Sequence, residues 1–127
     1  MIDRRRFALV ASAAAALAAG CATGPKWPEI PLSIVGHVLP PYEIHEECAR
    51  LAVGDKLEFA FEASEPVHFN IHYHEGNSVL MPITREGTHS EAGIFPVALP
   101  QDYCAMWESG PAGALIDYRL RVRRRSP

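Results

Sequence analysis

Residues 67–74 read Val-His-Phe-Asn-Ile-His-Tyr-His, and this alternation decides the fold class. Apolar side chains recur at every second position, which is the period of a β-strand with one buried face. Residues 57–62, Leu-Glu-Phe-Ala-Phe-Glu, alternate in the same way. Both segments therefore predict half-buried antiparallel strands rather than helices.

On either side of these segments, further short stretches of the same kind are separated by turn residues. Ser64-Glu65-Pro66 has the length and composition of a hairpin turn, and Glu75-Gly76-Asn77 predicts a second turn. Seven or eight short strands without an amphipathic helix predict an all-β fold, a single antiparallel β-sandwich in residues 32–127. The other predicted strands are residues 32–39, 78–83, 93–99, 102–108 and 114–122, while residues 42–51 fit either a strand or one helical turn.

The composition limits the chain to one small folded domain. It has 127 residues, with 12 basic and 15 acidic side chains, and 21% of its residues are charged. A chain of this length has no room for a multidomain enzyme. The low charge excludes a disordered acidic protein, and the net charge of −3 argues against a broad nucleic-acid-binding face.

The first 20 residues have the pattern of an export signal. Three arginines, Arg4 to Arg6, precede an apolar run over residues 7–19, which is followed by Gly20 and Cys21. This order of basic, apolar and small residues is typical of a secretory signal peptide, which we expect to form a helix before it is removed. The apolar run is too short to span a bilayer permanently. We therefore assign residues 1–20 to a signal peptide and expect an exported, periplasmic protein.

Two resemblances refine this assignment. Leu17-Ala18-Ala19-Gly20-Cys21 resembles a bacterial lipobox, which implies cleavage before Cys21 and a lipid on its thiol that anchors the protein to a membrane. The alternative is an ordinary signal peptide cleaved near Ala16-Leu17-Ala18, which would leave that cysteine unmodified. Residues 3–9 also resemble a twin-arginine signal, which implies export of a folded chain. Residues 21–31, with three prolines and a glycine, predict a flexible tether between the anchor and the domain.

The mature chain is mildly acidic. Removal of residues 1–20 leaves nine of the 12 basic and 14 of the 15 acidic side chains, a net charge of −5. No broad basic surface for nucleic acid remains. The one basic cluster consists of five arginines within residues 119–125. We expect them to lie on the solvent-exposed face and the frayed end of the last strand. The alternative is that they bind anionic lipid headgroups.

The two remaining cysteines, Cys48 and Cys104, are expected to form a disulfide. Thiols of an exported protein meet an oxidising compartment, where pairing is the default. A bond that closes so long a loop would stabilise a domain of this size by roughly 2–4 kcal/mol. The alternative is that one or both thiols bind a metal ion.

The strand faces turned away from the core concentrate metal-binding side chains. Three histidines of residues 67–74 point away from the core. In the strand predicted at residues 102–108, Cys104 and Met106 also point away from the core. Imidazole, thiolate and thioether are copper ligands, and neighbours on one strand face lie about 6–7 Å apart. The predicted ligands are His72 and His74, with His68, Met106 and Cys104 in support and Met81, His89 and Glu75 as further donors.

A structural role for these histidines is the alternative. A solvent-facing strand carries histidines without any ligand, and Asn70 separates His68 from His72. The turn that follows His74 also allows its imidazole to cap backbone groups. We interpret His37 and His45 as ordinary exposed residues.

Two known families resemble the predicted domain. Its size, compartment and sandwich resemble the blue-copper (cupredoxin-like) proteins, whose motif places a His and then a Met after a Cys, but no His follows Cys104 here. The resemblance to GOLD-like β-sandwich modules implies contacts with protein or lipid in the secretory compartment and a non-enzymatic role. The segments that carry it lie within residues 53–122 and are Val53-Gly54-Asp55-Lys56-Leu57, 66–71, Gly93-Ile94-Phe95 and 103–107.

Sequence motifs of the common enzyme classes are absent. The chain contains no Gly-x-Ser-x-Gly, no HExxH and no glycine-rich phosphate loop, so no enzymatic activity is predicted. The predicted function is that of an exported, lipid-anchored binding protein that holds copper or another transition metal on its histidine-rich strand. The alternative is a protein-interaction or envelope-structural module that binds no metal.

Overall fold

The computed structural model describes Trp27 and residues 31–126, and this part of the chain is all-β and antiparallel. The predicted signal helix, Cys21 and most of the predicted tether lie outside the described residues. Within the described residues, no helix is long and apolar enough to cross a membrane. The strands are β1 (Leu32–Leu39), β2 (Ile44–Leu51), β3 (Lys56–Glu75), β4 (Ser78–Pro96), β5 (Gln101–Ser109) and β6 (Ala114–Arg123).

The six strands form one curled sheet around the long strand β3. The strand order is β1-β6-β3-β5-β2, and β4 lies along the other edge of β3. The first half of β3, up to Ala63, pairs with β6, while its second half, from Val67, pairs with β5. Two groups of strands, β6 with β1 and β5 with β2, therefore extend from the same side of β3.

The predicted turn at residues 64–66 is wrong, because these residues belong to β3. The register of β3 with β4 shifts between Glu62 and Val67, as at a β-bulge. Pro66 has no N–H to donate to a strand ladder, so it suits the point where β3 leaves one neighbour and joins the next. The segment is a bend within one strand rather than a hairpin.

The predicted strands at 78–83 and 93–99 are likewise parts of one strand, β4, which ends at Pro96. Most of the side chains of β4 are exposed or only partly buried, because it pairs with β3 alone. Alternating hydrophobicity marks a strand only where one face is buried. The described residues thus form six strands instead of the predicted seven or eight, and residues 42–51 contribute β2 rather than a helical turn.

The core is an aromatic cluster that joins the two groups of strands. The ring centroids of Phe61 and Phe69, in the two halves of β3, are 4.9 Å apart, and those of Phe69 and Trp107 are 5.5 Å apart. Trp107 of β5 also lies 4.6 Å from Tyr118 of β6, although β5 and β6 share no backbone pairing. The inward orientation predicted for residues 67–73 and 103–107 is confirmed by the burial of their apolar members.

The C-terminal arginines are more ordered than the predicted frayed end. Asp55 is buried, and its carboxylate accepts hydrogen bonds from the side chain of Arg124 at 3.0 Å and the backbone N–H of Arg125 at 3.0 Å. Burial alone would raise the pKa of Asp55, but these donors and the N–H of Ala52 hold it below its usual value. Arg124 also donates to the carbonyl of Trp27, a buried residue of the predicted tether.

The predicted disulfide between Cys48 and Cys104 is present. The two residues are directly opposite each other in the antiparallel pair of β2 and β5, with their Cα atoms 4.0 Å apart. The bond spans a sequence separation of 56 residues. It therefore ties the edge strand β2 to β5 independently of the backbone hydrogen bonds.

We predict that the double substitution Cys48→Ala with Cys104→Ala lowers the free energy of unfolding by roughly 2–4 kcal/mol, because the unfolded chain regains the freedom of a long loop. Urea unfolding followed by tryptophan fluorescence measures the change. Reductant should destabilise the wild-type protein by a similar amount and leave the variant unchanged. Equal stability of the two proteins in the absence of reductant would contradict the prediction.

Candidate metal-binding site

The face of β3 opposite the aromatic core is less exposed than the sequence predicts. His68 and His74 are exposed, but Asn70 and His72 between them are buried, with 5% and 4% of their surface accessible. Here β3 lies between β4 and β5, so side chains from both neighbours cover the middle of this face. A buried polar pair on an outer face needs hydrogen-bond partners, and these define the site.

The two nitrogens of His72 face different oxygens. Its Nδ1 lies 2.7 Å from Oδ1 of Asn70, and its Nε2 lies 3.5 Å from a carboxylate oxygen of Glu46 on β2. An amide oxygen only accepts, so Nδ1 carries the proton and a neutral ring has its lone pair on Nε2. That lone pair then faces a carboxylate, which also only accepts. A protonated ring, a reversed amide of Asn70 that lets Nε2–H face the carboxylate, or a metal ion between the two groups would satisfy these acceptors.

The neutral form of His72, which is the form that can bind a metal ion, is favoured in the folded protein. Burial is the largest influence on the pKa of His72 and lowers it, the carboxylate of Glu46 opposes this, and His74 lowers it further, so that the net direction is downward. Two ligand atoms on one tetrahedral ion with bonds of about 2.0–2.2 Å lie roughly 3.3–3.6 Å apart. The observed separation between Nε2 of His72 and the Glu46 oxygen fits that range. Adjacent ligands of a planar copper(II) ion lie about 2.8–3.1 Å apart, so the exposed carboxylate of Glu46 would move toward His72 if copper(II) bound there.

His74 and Met106 are the other donors that the structure brings to this site. The rings of His74 and His72 meet edge to face, with centroids 5.4 Å apart, and His74 is exposed and free to turn. Met106 of β5 is half-buried and pairs with both Asn70 and Glu46, so its thioether lies on the same face and between their strands. His72, His74 and Glu46 are neighbours on one face, but their ligand atoms do not all lie within 4.8 Å of one another, so His74 would have to turn toward Glu46 to complete a three-ligand site.

Cys104 lies next to His72 in the pairing of β3 and β5, as the metal hypothesis requires. Its sulfur is bonded to Cys48, so it offers no thiolate. The sulfurs of both cysteines and a carboxylate oxygen of Glu46 lie within 4.8 Å of one another. The disulfide accounts for the closeness of the sulfurs and forms one wall of the site.

Of the other predicted donors, His68 and His89 lie elsewhere. His68 pairs with Glu108, and its Nδ1 accepts a hydrogen bond from the N–H of Gly87 at 3.2 Å. It precedes His72 by four positions along β3, a distance of about 13 Å. His89 is hydrogen-bonded to the carbonyl of Ala63 at the bend of β3.

Met81 and Glu75 are exposed residues of the β3–β4 hairpin. Met81 lies across from His72, where the register of β3 with β4 shifts between Ile71 and Tyr73. Glu75 follows His74 directly and projects from the opposite face of β3.

Sequence reasoning missed Glu46. It stands two residues before Cys48, in a segment whose sequence fits either a strand or one helical turn. Once the disulfide is taken as a directly opposed pair, Glu46 falls on the same face as Cys48 and opposite Met106. The combination of disulfide and strand parity was the signal that could have found it.

The interpretation of His45 as an ordinary exposed residue is wrong. It points inward from β2 and is hydrogen-bonded to the phenol of buried Tyr118, at 2.9 Å. The ring of half-buried His37, on β1, lies against it with centroids 3.9 Å apart. These two histidines form a second cluster on the opposite side of β2 from Glu46.

No family model matches the chain, and the search of curated proteins finds no match.

We predict that the metal-free protein loses stability as the pH falls below about 6.5, the ordinary pKa of histidine. The pKa of His72 is lowered in the folded protein, so below that pH the unfolded chain binds protons that the folded chain does not. Each unit of pKa difference costs ~1.4 kcal/mol. Urea unfolding between about pH 8 and 5, with chelator present, measures the slope. His72→Gln should flatten it, and an unchanged slope in that variant would contradict the prediction.

Proposed function

We propose that this protein is an exported, lipid-anchored copper-binding protein of the bacterial cell envelope, without enzymatic activity. The observation that carries the metal assignment is the 3.5 Å separation of Nε2 of His72 from the carboxylate of Glu46. His74, whose ring centroid lies 5.4 Å from that of His72, would turn to supply the third ligand. The metal ion would lie between a buried imidazole and an exposed carboxylate.

The donor set favours copper(II) among the available ions. Imidazole and carboxylate suit divalent ions, whereas copper(I) is selected by thiolate and thioether ligands. Of the soft donors, Cys104 is withdrawn by the disulfide and Met106 alone remains. Copper(II) binds a nitrogen and oxygen site more tightly than the other first-row divalent ions, including zinc.

The exported location and the sandwich are parts of the same proposal. A disulfide is compatible with an oxidising compartment, and residues 1–21 have the order of a lipoprotein signal. For the sandwich, the support is the contact between the rings of Trp107 and Tyr118, which brings β5 against β6 without backbone pairing. Both features fit the resemblance to GOLD-like modules.

We predict that the full chain, purified in detergent, binds one copper(II) ion and that His72→Ala with His74→Ala weakens binding by about 100-fold or more, as expected for the loss of two ligands. Glu46→Gln keeps the size and hydrogen bonding of an exposed side chain and should cost about ten-fold. Isothermal titration under oxidising conditions measures both.

The matched control for this titration is His68→Ala, which removes an exposed histidine of the same strand about 13 Å from His72. It should bind copper as the wild type does. Retention of one tightly bound copper ion by the folded His72/His74 double variant would contradict the proposed site. Absence of stoichiometric metal from the wild type would leave the alternative, a module that binds another protein.

One observation favours that alternative enough to keep it as the second candidate. Val35 and Val38 of β1 and Leu115 of β6 are apolar, are 79%, 64% and 51% exposed, and project from the outer face. Val38 and Leu115 are directly opposite each other, so they form a small continuous apolar surface. Such a surface suits contact with another protein of the envelope.

We predict that mass spectrometry of the mature protein finds an N-terminal peptide that begins at Cys21 and carries a diacylglyceryl group. Cys21→Ala should abolish the lipid-modified species and leave the chain uncleaved at this position. An unmodified N-terminus close to residue 19 would instead establish the ordinary signal peptide.

A further inference from the structure

A strongly basic surface lies at the C-terminal part of β6. Every second residue there is an arginine that points away from the core, because the residues between the arginines are buried. Two further arginines follow the strand directly, and a lysine of β3 is directly opposite Arg123. We name this surface the basic patch, and its members are Lys56, Arg119, Arg121, Arg123, Arg124 and Arg125.

The basic patch holds most of the positive charge in the described part of the chain. Six of the eight basic side chains of that part belong to it, and its ion pairs involve two acidic residues, Asp55 and Glu58. In the rest of that part, 11 acidic side chains are accompanied by two basic ones, Arg50 and Arg85. An anionic surface would therefore attract the patch and repel the remainder of the domain, which decides the side that faces it.

The two carboxylates neutralise only part of the patch. Those of Glu58 and Asp55 pair with three of its arginines, at distances between 2.6 Å and 3.7 Å. Among the residues that the structure describes, no acidic side chain forms an ion pair with Lys56, Arg119 or Arg125. All three of these side chains are exposed, so they can bind an anion without breaking an existing contact.

Two exposed apolar side chains flank the basic patch. Ile94 of β4 is directly opposite Glu58. Val53 precedes Gly54, against which the side chain of Arg125 lies. A membrane surface accommodates this combination, because basic groups contact the lipid phosphates while neighbouring apolar groups reach toward the acyl chains.

The predicted tether leaves the domain at the basic patch. Trp27 is buried, and its carbonyl oxygen accepts a hydrogen bond from Arg124 at 3.3 Å. Cys21 is six residues earlier, and six residues of chain reach at most about 22 Å. A lipid on Cys21 would therefore keep the patch close to the headgroups of the membrane that holds it.

We propose that the basic patch docks the domain on an anionic lipid surface, beside the protein's own lipid anchor. The proposal rests on the anchor at Cys21 and adds a second attachment, which sets the orientation of the domain. Arginine suits this contact because its guanidinium forms paired hydrogen bonds with phosphate oxygens. The tether makes docking an intramolecular step, so a few such contacts are sufficient.

The test uses the lipid-modified protein, reconstituted from detergent into vesicles of phosphatidylcholine alone or of equal parts phosphatidylcholine and phosphatidylglycerol. Phenylglyoxal modifies accessible arginines, and mass spectrometry measures the rate at each position. On the anionic vesicles, the rates at Arg119, Arg123 and Arg125 should fall at least about three-fold, as expected of a patch that is docked most of the time. Arg50 and Arg85 are internal controls and should react equally on both vesicles. High salt should remove the protection.

The double substitution Lys56→Gln with Arg119→Gln should remove the protection of Arg123, because two charges without an acidic partner are lost. Its matched control, Arg50→Gln with Arg85→Gln, changes the net charge by the same amount outside the patch and should keep the protection. Equal modification of Arg123 on both kinds of vesicle, or protection that survives in the Lys56/Arg119 variant, would overturn the docking. An acidic protein would then be the remaining partner for the patch.

Flotation with the neutral vesicles tests the anchor separately, because a diacylglyceryl group holds a protein on a membrane without any help from charge. Failure to float would overturn the lipid anchor of the proposed function, and this proposal with it. Flotation together with equal modification on both vesicles would overturn the docking alone and leave the anchor in place.

Discussion

The bend of β3 at residues 64–66 is the constraint on which the rest of the structure depends. A proline within the strand cannot donate to a neighbour, and on either side of it β3 pairs with a different strand. The two halves of β3 thereby direct β6 and β5 toward each other. This geometry packs Phe61 against Phe69 and Trp107 against Tyr118, and all four side chains are buried in the core.

The alternating segments of the sequence predicted the parts of the fold that have one buried face. Residues 57–62, 67–74, 102–108 and 114–122 all became strands with the expected orientation. The bend and strand β4 could not be found in this way. The composition of Ser64-Glu65-Pro66 suits a turn and a bulge equally well, so it does not distinguish them. Strand β4 pairs with one strand only and has no buried face, so its sequence does not alternate between apolar and polar residues.

Sequence alone predicted some residues of the candidate site, but it also included His68 and missed Glu46. Strand parity placed His72, His74 and Met106 on one face, but the same parity placed His68 there too, because alternation gives the face and not the distance along it. Glu46 depended on the register between β2 and β5, which long-range pairing sets and local sequence does not. Burial of His72 likewise follows from the strands beside β3.

The pairing of β2 with β5 has a consequence for the order in which the protein is built. Cys48 and Cys104 are 56 residues apart, so the contact that places Glu46 beside His72 joins distant parts of the chain. Such contacts close late in folding, because the loop entropy must be overcome first. Formation of the disulfide makes this closure permanent. The proposed metal site would therefore be held together more firmly after oxidation, because in a reduced chain Glu46 is kept near His72 by the edge-strand pairing of β2 alone.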